Sequence, residues 1–172
     1  YLRRDSFFTG VTEGNIGSAR IIKMLNVVDD ALVVESNGIY SIENYLTSRR
    51  LMYWQVYLHK TTVGCENILI NALRRAKQLA GEGVELFASP ALRYFLYNDI
   101  TAHSFHTQDE ALDNYIALDD NDIWSALKVW QQHYDSILAL LSSNIINRKL
   151  FKVEVREEEP TAEETARLKK QI

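Results

Sequence analysis

The chain has 172 residues, 47% of them apolar, enough for one domain with its own core and too few for two independent ones. Its net charge of −4 and pI near 5.6 provide no broad basic field, which disfavours a nucleic-acid partner. A single cysteine, Cys65, excludes an intrachain disulfide and fits a reducing, cytoplasmic setting, and no apolar run approaches the roughly 18 residues that cross a membrane.

Only 7 glycines and 2 prolines punctuate the chain, so composition favours a mainly α fold over a sandwich or barrel, whose many turns consume both. The chain opens on Tyr1-Leu2-Arg3-Arg4-Asp5, with Gly10 five places on. In a helix, Tyr1 and Asp5 are i and i+4, so a ring and a carboxylate project from one face. Such a pair can hold a sugar, the ring stacking and the carboxylate accepting from a hydroxyl. The same spacing also lets Tyr1 pack while Asp5 caps the helix or pairs with Arg4.

Gly14, Asn15 and Gly17 interrupt this segment, and Ser18 caps a short helix to about Asn26. Ala31 to Glu35 and Ile39 to Ser41 then flank Ser36-Asn37-Gly38, where Asn-Gly predicts the tight turn of a two-stranded hairpin. Ser41 is a candidate N-cap for a long spine helix to about Leu79, with a break placed near Thr61 to Gly64. Val84 to Asn98 reads as a shorter helical pair, with Pro90 suited to a first helical turn after the Ser89 cap. Asp99 to Thr107 reads as a loop, and three helices follow over Asp109 to Ala117, Asp122 to His133 and Tyr134 to Ser142.

The acids Asp119 to Asp122 suit a helix dipole; their spacing lacks the glycine and closing glutamate of a calcium loop. Leu150 to Arg156 alternates apolar and charged residues, which predicts a half-exposed strand, and Thr161 with Glu164 forms a capping box for a last helix. The expected organisation is a helical unit over 1–148 and the start of a small strand-helix element over 149–172, within a longer protein.

No metal-binding or nucleophile motif is assembled by His59, His103, His106, His133 or Cys65. A stripe on the spine helix is more informative: Arg49, Tyr53, Tyr57 and Lys60 fall at i, i+4, i+8 and i+11, placing two cations and two phenols along one face. Arginine offers forked donors to phosphate, and tyrosine offers a ring and a hydroxyl to a sugar or base. The same residues also fit half-buried helix tyrosines flanked by solvated charges.

Tyr1-Leu-x-Arg-Asp5-x-x-x-x-Gly10, Thr47-x-Arg49, Tyr57-x-His59-Lys60 and the later Arg148-Lys149-Leu150-Phe151-Lys152 together resemble the HD-domain phosphohydrolases, in particular their deoxynucleoside triphosphate triphosphohydrolase branch. The resemblance implies that Tyr1 and Asp5 contact the nucleotide sugar, that Arg49 reaches the phosphates and that Tyr57 lines the sugar pocket. It also implies a divalent metal ion held by residues upstream of Tyr1, so this chain carries substrate-binding residues, no catalytic or metal-binding ones, and is inactive by itself. Leu58 departs from the branch, which has a glutamine there. The family is often oligomeric, so a homo-oligomer is expected. The alternative reading is a non-catalytic helical module that senses nucleotides or serves assembly.

Overall fold

The computed structural model describes residues 1–154, 156 and 158–170. In chain order it comprises α1 (Leu2–Thr9), a 3-10 turn (Thr12–Gly14), α2 (Ser18–Lys23), the strands β1 (Leu25–Val28) and β2 (Ala31–Val34), and a second 3-10 turn (Ser36–Gly38). There follow α3 (Ile39–Met52), a π-helical turn (Tyr53–Tyr57), α4 (Lys60–Gly81), α5 (Pro90–Tyr97) and α6 (Ser104–Thr107). The chain continues through α7 (Asp109–Ala117), α8 (Asp120–Trp130), α9 (Ser136–Ile146) and α10 (Ala162–Lys169). The expected class, mainly α with one small antiparallel hairpin, is the class observed.

The core forms around α4 because Ile68, Ala72, Ala76 and Leu79 recur at helical spacing and are all buried. The two alanines keep that face thin, so α9 lies close along it, and Leu138 and Ile145 fill the space between them. Asp135 fixes the start of α9 twice, accepting from Leu138 N at 2.8 Å and from the Arg75 guanidinium of α4 at 2.5 and 3.2 Å. α8 completes this side with Ala126, Leu127 and Trp130, and the indole Nε1 of the buried Trp130 donates to Phe87 O at 3.0 Å.

Three of the local capping signals appear where they were predicted, whereas Ser18 and Ser41 lie inside their helices and cap neither. Ser89 Oγ accepts from Leu92 N ahead of Pro90, Thr161 and Glu164 form their capping box, and Asp119 forms another with Asp122. This last box starts α8 at Asp120, two residues before the predicted start.

Several expectations are corrected. The helix from Ser18 ends at Lys23, short of Asn26, which lies in β1, and the helical pair expected over Val84 to Asn98 is the one helix α5, with residues 84–89 carrying no helix. The hairpin turns at Asp29-Asp30, both at positive φ, pairing Val28 with Ala31 and Leu25 with Val34. Asn37-Gly38 belongs instead to a 3-10 turn that leads into α3 at Ile39, before Ser41. Gly38 is there for space: a Cβ on it would stand 2.7 Å from Val34 Cγ1 and 3.0 Å from Met24 Sδ. The spine breaks at Leu58 rather than near Thr61 to Gly64, and His59 restarts the chain by accepting from Thr61 N through Nδ1 at 3.3 Å.

The loop predicted over Asp99 to Thr107 closes with the short α6. In the predicted terminal strand, residues 150–154 and 156 pair with nothing, while Val155 lies outside the described residues. Val153 instead seats against α4, where a Cβ on Gly64 would come within 2.5 Å of its Cγ2. No helix is long and apolar enough to cross a membrane among the described residues.

Candidate functional site

The site depends on how closely α1 approaches the end of α3. Gly10 ends α1 at φ +73, a left-handed cap natural to glycine, and its N–H returns to Ser6 O at 3.0 Å. The chain then folds back through the Thr12–Gly14 turn, and Ser6 Oγ donates to Val11 O at 2.6 Å. Gly14 sits between Ser6 and the fully buried Met52, where a Cβ would stand 2.7 Å from Ser6 Cβ and 2.8 Å from Met52 Sδ. Only a residue without a side chain fits between these helices.

This packing sets Asp5 against Tyr57 although 52 residues separate them. Tyr57 Oη donates to Asp5 Oδ2 at 2.6 Å, while Arg4 Nε donates to Asp5 Oδ1 at 2.7 Å. The hydrogen bond from Tyr57, with help from Arg4, holds the Asp5 carboxyl below the usual carboxylate range. The same bond pushes the Tyr57 phenol up to about 12, since losing its proton would set two anions side by side. The pair is therefore a carboxylate and a neutral phenol throughout the physiological range.

A cleft of ≈ 430 Å³ opens beside this pair, lined by Tyr1, Leu2, Asp5, Tyr45, Arg49, Tyr53 and Tyr57. All four sequence-predicted residues, Tyr1, Asp5, Arg49 and Tyr57, therefore meet in one place. Tyr1 is 93% exposed, and the Arg4 guanidinium lies 4.8 Å from its ring centre. Arg49 lies 5.6 Å from the Tyr53 ring centre, and Tyr53 in turn packs edge-on against Tyr57 at 5.1 Å. Tyr53, and then Tyr45, raise the Arg49 pKa above its ordinary value. Arg49 has no carboxylate partner among the described residues, which leaves its donors available to an anion.

Lys60 does not line the cleft. The π-helical turn and the break at Leu58 change the rotation between Tyr57 and Lys60, so a stripe drawn at constant helical pitch ends one residue too far. Tyr45 was overlooked, although it stands four residues before Arg49 and extends the same stripe back by one turn. Leu2 had no signal of its own.

The residues present do not make a metal site. No three His, Cys, Asp or Glu side chains gather closely enough to hold an ion among the described residues. Asp5 is the one carboxylate lining the cleft, and both of its oxygens already accept hydrogen bonds from Tyr57 and Arg4.

The helical fold has known relatives. Residues 16–87 match the model of the HD-associated region. A solved structure described as a phosphohydrolase from Bacteroides thetaiotaomicron VPI-5482 is 63% identical with a TM-score of 0.88, over 99% of this chain and 43% of that one. The uncharacterised protein YwfO of Bacillus subtilis is 35% identical over 151 residues, 88% of this chain and 33% of YwfO. An uncharacterised protein of Mycoplasma genitalium is 26% identical over 171 residues, 91% of this chain and 38% of its own length. These matches relate the chain to the HD-domain phosphohydrolases, and it spans less than half the length of each relative.

Proposed function

We propose that the intact protein hydrolyses a phosphoester or phosphoanhydride of a nucleotide, and that this chain supplies the substrate-recognition side of the site. The observation that carries the reading is the convergence of Asp5, Tyr57, Tyr1 and Arg49 on one cleft from two distant segments. Tyr1 offers a ring to the sugar or base, and Asp5 is an ionised acceptor for a sugar hydroxyl. Each carboxylate oxygen has two lone-pair directions, so Asp5 can accept from a ligand while keeping its bonds to Tyr57 and Arg4. Tyr57 holds that carboxylate in place and forms a wall of the cleft. Arg49 supplies a permanent cation with forked donors for phosphate oxygens. The divalent metal ion implied by the family would be held by residues preceding Tyr1 and would supply the activated water.

A hydrolysis screen on the intact protein with a divalent metal, against deoxynucleoside triphosphates, monophosphates and cyclic nucleotides, tests the proposal. Deoxynucleoside triphosphates are the class the sequence resemblance favours. Arg49→Ala should lower turnover of the accepted class by about tenfold or more. Unchanged turnover removes Arg49 from the site, and nucleotide binding with no turnover of any class favours a sensing module.

A further inference from the structure

A fixed carboxylate in a cleft that takes phosphate needs a counter-ion. Tyr57 keeps Asp5 ionised by donating to Oδ2 at 2.6 Å, yet a neutral phenol brings no charge to offset it. Arg49, the cation lining the same cleft, has no carboxylate partner among the described residues, so it is not paired with Asp5. With these groups alone, a phosphate ester would meet one fixed anion and one cation, and no net attraction.

Arg4 changes that balance. Tyr1, Arg4 and Asp5 stand at i, i+3 and i+4, and Asp5 N donates to Tyr1 O at 2.9 Å, so the three share one helical turn. The Arg4 guanidinium places Nε and Nη2 each 2.7 Å from Asp5 Oδ1, and its carbon lies 4.8 Å from the Tyr1 ring centre. The Asp5 side chain is only 16% exposed, so dissolved ions screen it poorly and the neutralising charge has to come from the protein. Arg4 does not itself line the cleft, so its effect passes through residues that do. Arg3, one place earlier, is engaged elsewhere: its Nη1 donates to Ser18 Oγ at 3.0 Å, and it lines a separate hollow with Phe7 and Asn15.

We propose that Arg4 is a positioning residue for substrate charge. As the counter-ion of Asp5, it cancels that carboxylate and lets an ionised sugar acceptor share one cleft with phosphate groups bound by Arg49. The role rests on the nucleotide reading above and adds the residue that reconciles its sugar side with its phosphate side. At roughly 10 Å in water-like surroundings, one unit charge alters affinity by about twofold for each ligand charge. The contribution of Arg4 therefore grows with phosphate number, reaching about tenfold for the three or four charges of a triphosphate.

Calorimetric titration of the intact protein at low salt, without divalent metal so that nothing is turned over, tests this with deoxyadenosine and its mono-, di- and triphosphates. Arg4→Gln should leave deoxyadenosine within about twofold of wild type and weaken the phosphates progressively, to about tenfold for the triphosphate. Arg4→Lys, which keeps the charge, should restore most of that loss, and Arg3→Gln, the same charge change one residue away, should cost the triphosphate about twofold at most. Circular dichroism checks that each variant is folded, and a carboxylate NMR titration without ligand should show the Asp5 pKa rising in Arg4→Gln. Equal weakening of nucleoside and triphosphate would mean that Arg4 only holds Tyr1 and Asp5 in place, and would overturn the proposal while leaving the nucleotide reading intact. A loss in Arg3→Gln as large as in Arg4→Gln would also overturn it, since any nearby cation would then serve. Wild-type protein that binds none of the series would overturn both.

Discussion

Gly14 is remote from any ligand, yet the packing makes it a control point for the cleft. In Gly14→Ala, the new methyl would meet Ser6 Cβ at 2.7 Å and Met52 Sδ at 2.8 Å. Met52 is fully buried and Ser6 is tied to Val11 O, so neither has open space to move into. Overpacking of this kind costs about 1–3 kcal/mol, which lowers Tm by about 2–12 °C in a chain of this size. Restoring ordinary contact requires α1 to move away from α3 by about 1 Å. The same motion stretches the 2.6 Å bond from Tyr57 to Asp5 to about 3.6 Å, beyond hydrogen-bonding reach. The Tyr57 phenol, held at about 12 by that bond, should therefore fall back towards the ordinary tyrosine value of about 10. Site-selective carbon labelling of tyrosine, followed by NMR across alkaline pH, reads this directly beside a thermal melt. A variant that melts lower while Tyr57 still titrates near 12 would show that the methyl is absorbed elsewhere and would refute the coupling.

Tyr57→Phe removes the largest influence lowering the Asp5 pKa, so Asp5 should titrate closer to its ordinary value in a carboxylate NMR titration, with weaker nucleotide binding by the intact protein. Asp135 is depressed to about 2, first by Arg75 and then by the Leu138 amide. Because its folded value lies below its unfolded one, its contribution is complete above about pH 4 and is lost as pH falls through about 2. Asp135→Asn should keep the cap of α9 but flatten the loss of stability between pH 4 and 2 in acid denaturation. Trp130→Ala removes a side chain only 1% exposed and leaves Phe87 O without its donor, a loss of about 3–5 kcal/mol that urea denaturation should record.

Signals that act within one turn of chain were readable from sequence. The Ser89-Pro90 start and the Thr161 box depend on backbone groups a few residues away, and they appear where the residue types predict. The hairpin illustrates the limit. Both Asp29-Asp30 and Asn37-Gly38 can adopt positive φ, and the choice fell to the first because Gly38 was needed against Val34 and Met24, a contact no local rule contains. Likewise the alternation over Leu150 to Arg156 describes a strand only where an edge exists to pair with, and Val153 met a helix glycine instead.

By itself the sequence determined the helical class, most of the caps, and the identities of the ring, the carboxylate and the cation in the cleft. Tertiary structure alone decided that they meet. Tyr1 and Asp5 share a helix face by spacing, and so do Arg49 and Tyr53, but joining the two sets requires α1 to approach α3 more closely than any side chain at Gly14 would allow. The break at Leu58 was equally hidden. No proline or glycine marks it, yet it leaves Lys60 outside a cleft that helical periodicity would have had it line. Periodicity describes one element at a time, whereas the contact between Asp5 and Tyr57 is a property of two packed together.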